Sequence, residues 1–256
     1  MSKLEKENNL KKRLVAVLMM CFTLFTCLTG CSLGEEVIDE NFYCRVIDEN
    51  NIAIGGLITY PESGVVFFPE KIKDYTVSRL GFGLGIGGNG EFSAHSSGEN
   101  RTFIKRIYVP HTVKVVDSDY MKPPPELKVF YCGEVIDLAG FESGRWGCEI
   151  YLPAEKYELF KVIHDDERYT FDSILLKANV SYHLNYDEDN YYYVDYYENG
   201  EKILYIPPIP QRDGYTFGGW FKEAECIKQW DFDTDTLQLS EEIEEIKLYA
   251  QWIVEQ

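Results

Sequence analysis

Apolar residues along this chain recur in short runs two positions apart, the spacing of strands rather than of helices. Phe42, Cys44 and Val46 alternate with polar or mixed partners, and Ile52 and Ile54 follow Asn50-Asn51, so residues 42–54 read as a hairpin of two short strands. A phrase then recurs. VVFFPEKIKDYTVSRLG at 65–81 and IKRIYVPHTVKVVDSDY at 104–120 both run apolar-x-apolar-Pro, then an apolar residue, then a second apolar cluster. EIYLPAEKYELFK at 149–161 repeats the opening, and LKVFYCGEVIDL at 127–138 sits between. Ile107, Val129 and Ile150 stand 22 and 21 residues apart, a period at which each unit lays down one short strand that cannot bury its apolar face without a neighbour. A helical or irregular stretch around 154–176 ends this pattern. Beyond it the chain is dense in tyrosine, and Asn199-Gly200 signals a hairpin turn.

The units resemble the BspA-like leucine-rich repeat of bacterial surface proteins. Val66-Phe67-Phe68-Pro69 with Val77, Leu80 and Gly81 matches one unit, and Ile104, Ile107, Val109-Pro110, Val113 and Val116 match the next. Two departures stand out: 41 residues separate Pro69 from Pro110, and Asp119-Tyr120 replaces the usual Ala-Phe. Further on, Pro210, Gly214-Tyr215, Phe217, Gly219-Trp220, Trp230-Asp231-Phe232 and Leu248-Tyr249-Ala250-Gln251-Trp252 fall in an order that resembles the Listeria-Bacteroides repeat, also known from internalin-type B repeats. That resemblance implies a small β-grasp-like module of secreted and surface-bound proteins. Within it, RDGYTFGGWF at 212–221 reads as core: Tyr215, Phe217 and Trp220 face inward, and Gly214, Gly218 and Gly219 permit a turn and close backbone approach. The expected fold is mainly β (α+β), a short leucine-rich-repeat solenoid over 41–176 followed by a β-grasp-like repeat domain over 177–256.

The N-terminus adds an address. Lys11, Lys12 and Arg13 precede an uncharged run from Leu14 to Thr29, the layout of a secretory signal and too short for an ordinary spanning helix. The run ends in Leu28-Thr29-Gly30-Cys31, which resembles the bacterial lipobox. The resemblance implies a signal peptide over 1–30, lipidation at Cys31 and a polar tether over 31–40, with attachment to the membrane through acyl chains alone.

Without residues 1–30 the chain carries 20 basic against 41 acidic side chains, a net charge of −21. Such a surface repels phosphate backbones and anionic headgroups, which argues against nucleic-acid binding. Cys44, Cys132, Cys148 and Cys226 remain with no metal-binding spacing. They read as small buried or free thiols, with Cys132–Cys148 the first bridge to test.

Candidate chemistry is sparse. Gly83-Leu84-Gly85-Ile86-Gly87-Gly88 satisfies GxGxxG, but the polar, helix-poor EFSAHSSGENR after it offers no helix N-terminus to a pyrophosphate, so it reads as a loop and no cofactor is expected. His95, His111, His164 and His183 lie in unrelated contexts, without HExxH or GxSxG, and no catalytic constellation emerges. Asp231, Asp233, Asp235 and Glu242 occupy positions 1, 3, 5 and 12 of a calcium loop, yet Thr236 stands where the sharp turn needs glycine, and the alternation equally suits a strand. Five tyrosines fall within residues 191–197. They pack across strands or, through Tyr191, Tyr193 and Tyr197, present a rigid amphipathic binding surface.

The expected function is that of a lipid-anchored, extracytoplasmic, non-enzymatic protein that binds proteins or glycans at the bacterial cell surface. The rivals are an exported solute-binding lipoprotein or enzyme, and an envelope scaffold with a partner in the same cell. Cys31→Ala is expected to release the chain from membranes or to block its processing. Unchanged membrane fractionation together with an unchanged mass would refute the anchor.

Overall fold

The computed structural model describes residues 36–81, 104–117, 126–133, 148–164, 173–186 and 191–255. The signal segment, Cys31, most of the tether, the GxGxxG stretch beyond Gly81, His95 and Asp119-Tyr120 lie outside the described residues. From Glu36 onward the chain forms one compact unit.

Antiparallel strands open it: β1 (Glu36–Ile38), β2 (Phe42–Val46) and β3 (Asn51–Leu57). The expected turn between β2 and β3 forms because Asp48 Oδ1 accepts the backbone N–H of both Asn50 and Asn51 at 2.9 Å, an aspartate replacing a backbone turn. There follow β4 (Val65–Phe67), β5 (Lys71–Ile72), β6 (Tyr75–Leu80), β7 (Arg106–Val109), β8 (Val115–Val116), β9 (Lys128–Tyr131), β10 (Glu149–Leu152), helix α1 (Ala154–His164) and β11 (Ile174–Lys177). Pro153 stands just before α1, where a missing N–H costs nothing, and Phe160 anchors the helix edge-on against Tyr131, with centroids 5.9 Å apart.

These strands build two sheets. The first runs β1-β2-β3-β6-β5, with β8 also paired to β6, and β3, β6 and β8 are parallel. The second runs β4-β7-β9-β10-β11 and is parallel throughout. Its register places Val66 opposite Ile107, Ile107 opposite Val129, Val129 opposite Ile150 and Ile150 opposite Leu175. The period legible in the sequence is therefore a strand register.

A third, four-stranded sheet closes the chain: β12 (Val180–His183), β13 (Tyr191–Asp195), β14 (Tyr215–Phe221) and β15 (Ile246–Val254), in the order β13-β12-β15-β14. The first and last strands lie side by side and parallel, each flanked by an antiparallel partner. Asn199-Gly200 does turn, with Gly200 at φ 87°, but no hairpin follows. Residues 201–210 hold three prolines, at 207, 208 and 210, which remove the donors a ladder strand needs, and the segment runs without strand pairing. In RDGYTFGGWF the expected core position of Trp220 holds at 3% exposure, while Tyr215 and Phe217 are only half-buried. Gly219 at φ 119° marks the register break between Phe217 and Gly219, a bulge that only glycine enters without strain.

The parallel sheet lies between the other two, and its residues divide by parity. Val66, Ile107, Val129, Ile150 and Leu175 enter a core shared with Phe42, Ile52, Ile54 and Val77 of the first sheet. Phe67, Tyr108, Phe130 and Tyr151 enter a second core shared with Tyr182, Tyr193, Trp220 and Leu248 of the third. An all-parallel sheet has both faces covered, and here the C-terminal sheet is the second cover.

The same parity separates the cysteines. Cys132 belongs to the second core and Cys148 to the first, so the bridge expected between them does not form, and none of Cys44, Cys132, Cys148 and Cys226 is in a disulfide. Burial pushes the Cys44 and Cys132 thiols up to about 12. Cys226 is raised by partial burial but keeps access to solvent. Alkylation of the native full chain, read by peptide mapping, is expected to reach Cys226 at least about tenfold faster than Cys44, Cys132 or Cys148. A disulfide joining the Cys132 and Cys148 peptides would contradict this arrangement.

Candidate functional site

The tyrosine-rich strand does not face solvent. Tyr191, Tyr193 and Tyr197 are 4%, 1% and 4% exposed, which overturns the expected binding surface. The alternation of β13 cannot expose one set, because one face of this strand lies against the parallel sheet while Tyr192 on the other packs on Trp220. The hydroxyls are spent internally. Tyr193 Oη donates to the Phe68 carbonyl at 2.7 Å, and Tyr197 Oη accepts the N–H groups of Leu204 and Tyr205 at 3.1 and 3.0 Å. Burial raises all three phenols above their ordinary value, so they stay neutral.

At the centre of this interface sits Asp195, fully buried at the end of β13. Its carboxylate pairs with Arg106 of β7, accepts the Tyr108 hydroxyl at 2.9 Å and accepts the Tyr196 N–H at 2.8 Å. Arg106 also donates from Nε to Tyr108 Oη at 3.0 Å, and its guanidinium carbon lies 4.4 Å from the Phe130 centroid and 4.7 Å from that of Tyr205. Burial pushes the Asp195 carboxyl up, and Arg106 with the surrounding donors opposes that push. Around the pair, Phe67, Tyr108, Phe130 and Tyr151 stack across four strands at 4.1, 4.6 and 4.9 Å, with interplanar angles of 9°, 14° and 14°.

The candidate calcium loop is a turn rather than a strand. Asp231 Oδ1 accepts the Asp233 N–H at 2.9 Å, and the Thr234 and Asp235 N–H groups bond to the Asp231 carbonyl. Asp235 takes the Asp231 N–H at 2.9 Å and the Lys222 ammonium at 2.8 Å, while Glu242 points into solvent. The aspartates fold the loop instead of converging, and no acidic or histidine cluster suited to a metal occurs among the described residues. Ser181 Oγ lies 2.9 Å from His183 Nε2, a contact that the i, i+2 spacing on β12 produces. Ser181 is fully buried in the middle of the sheet, so no substrate approaches it.

A different cluster does reach solvent. Arg212, just before β14, places its guanidinium carbon 3.9 Å from the Tyr215 centroid, 4.6 Å from Tyr186 and 5.8 Å from Trp252. Trp252 is fixed by its Nε1–H, which donates to the Leu184 carbonyl at 2.5 Å, and by edge contacts with Tyr186 and Phe217. Tyr186 is 41% exposed, and Arg212, Tyr215 and Trp252 are half-buried.

The segment from Asn179 to Gln251, which carries Asp195 and all of this surface but Trp252, matches a known family. Residues 179–251 match the Listeria-Bacteroides repeat domain. This is a repeat of surface proteins. Two proteins of Evansella cellulosilytica are also similar to parts of the chain. One, named as a Gly-rich membrane protein, is 29% identical over 117 residues, covering 40% of this chain and 13% of that protein. Another, named as a membrane protein, is 35% identical over 48 residues, 19% of this chain and 6% of its own length. The chain therefore spans only a small part of these relatives. Among the described residues no helix is long and apolar enough to cross a membrane.

The Listeria-Bacteroides repeat domain thus supplies both Asp195 and Arg212, and sequence reasoning nominated neither. A signal existed for Asp195, one carboxylate inside the aromatic run YYYVDYY, and for Arg106, one cation leading into the apolar RIYV. Asp195→Ala is expected to destabilise the protein by about 3–5 kcal/mol, because it leaves the Arg106 charge buried and unpaired. The double variant Arg106→Met/Asp195→Leu is expected to lose less than either single change, as read from chemical denaturation followed by tryptophan fluorescence.

Proposed function

We propose that this is a lipid-anchored protein of the bacterial cell surface that works by binding, in adhesion or in protein or glycan contact. The match of residues 179–251 to a surface-protein repeat carries the reading. The lipobox-like Leu28-Thr29-Gly30-Cys31 supports the anchor, and the relatives' names are compatible with a membrane or surface location. The ladder of strands at a 22- and 21-residue spacing supports a BspA-like leucine-rich-repeat solenoid, and the parallel central pair of the third sheet supports a β-grasp-type module.

A solute-binding or catalytic role draws less support. Among the described residues, a cavity of about 210 Å³ beside edge strand β4 is lined by Phe42, Leu57, Val66 and Phe67 with Asn41 and Thr59, and no titratable side chain lines it. Ligand pockets run to about 300–1,000 Å³ with converging polar groups. Binding through an outer surface fits these observations better, and a net charge of −18 disfavours nucleic acid as the partner.

The full chain in detergent, immobilised and challenged with host-surface, cell-wall and self-envelope fractions, is expected to retain a component of at least one of them. Retention of none, together with turnover of a small molecule, would sink the binding reading.

A further inference from the structure

We infer that Arg212 with Tyr186, Tyr215 and Trp252 forms a subsite for a terminal acidic sugar, a pyranose bearing a single carboxylate. The inference rests on the surface-binding reading and names the ligand class for one surface of the repeat domain.

Charge is the first argument. The chain holds 43 acidic side chains against 25 basic ones, so an arginine left without a carboxylate is unusual here. Arg79 pairs with Asp117 at 2.7 Å and Arg106 with Asp195, whereas Arg212 has no ion pair or side-chain hydrogen bond among the described residues. Its guanidinium carbon lies over rings instead, at 3.9, 4.6 and 5.8 Å. A guanidinium stacked on rings spends its faces and keeps its in-plane N–H fork, which matches a carboxylate bidentately.

Rigidity is the second. Tyr215 and Trp252 sit on adjacent strands, in register with Val254 and Phe217, and the Trp252 N–H is bonded to a backbone carbonyl. Side chains held this way lose little freedom on binding. Tyr186, 41% exposed, adds a third ring from the chain just beyond β12. Flat rings beside a cation suit the apolar C–H face of a pyranose whose carboxylate meets the fork.

The excess acidity narrows the ligand further. A polyuronate or other polyanion is repelled by a net charge of −18, while one terminal carboxylate presents a single charge to a single arginine. Host glycans and bacterial polysaccharides both end in such sugars, so the probes separate the two sources.

The test uses the full chain in detergent, with binding of sialyl-lactose, a glucuronic-acid-terminated disaccharide and lactose measured by ligand-observed NMR and calorimetry. One of the acidic sugars is expected to bind at least about tenfold tighter than lactose, and which one does so identifies the source. Arg212→Gln is expected to remove this preference, Arg212→Lys to retain part of it, and both to melt as the parent does. Trp252 and Tyr186 resonances should shift on titration. Equal binding of lactose, binding of neither acidic sugar, capture of an acidic peptide alone, or an unchanged preference in Arg212→Gln would each overturn the inference. Retention of a surface fraction by both parent and Arg212→Gln would overturn it while leaving the broader binding reading intact. Loss of retention by the parent itself would instead count against that broader reading.

Discussion

The Asp195–Arg106 ion pair joins residues 89 positions apart and fixes the C-terminal sheet on the parallel sheet. Asp195 is fully buried, and Arg106 is mostly so, with 14% of its side chain exposed. A carboxylate in that position costs more than it returns unless its lone pairs are met, and here a guanidinium, a phenol and a backbone N–H meet them. The pair is therefore more a device of register than of net stability. It holds only when β7 and β13 are opposed as they are, and the stacked rings of Phe67, Tyr108, Phe130 and Tyr151 settle into place around it.

From that constraint follows the division of labour in the repeat domain. Strand β13 turns its aromatics inward because the parallel sheet needs a second cover, so the densest tyrosine cluster is structural. The aromatic group that does reach solvent is a different one, where Arg212 rests among Tyr186, Tyr215 and Trp252 on strands β14 and β15 and the adjoining chain. Tertiary packing moved the candidate surface without changing the type of residue that forms it. The tyrosines that sequence density favours are consumed, and a sparser group with one arginine takes their place.

Much of the architecture could be read along the chain. Alternation placed β2 and β3, and the spacing of Ile107, Val129 and Ile150 became the pairing of β7, β9 and β10. The marked positions from Pro210 to Gln251 fell within the matched repeat domain, with Trp252 one residue beyond its end. The expected hairpin after Asn199-Gly200 failed because three prolines withhold ladder donors. The candidate calcium ligands failed because Asp231 and Asp235 spend their oxygens on the turn that contains them. The Cys132–Cys148 bridge failed because the two thiols enter opposite faces of one sheet.

Local chemistry written in the order of residues determined the strands, the turn at Asp48, the bulge at Gly219 and the repeat period, because these depend on neighbours within a few positions. The sequence also held, in runs such as RIYV, KVFY and EIYL, the near-continuous apolarity of strands buried on both sides. What covers the second side was decided only in three dimensions. The partners of Tyr193, Asp195 and Arg106 lie 125, 87 and 89 residues away, and no local pattern encodes a contact between two surfaces that become surfaces only after their own strands have paired.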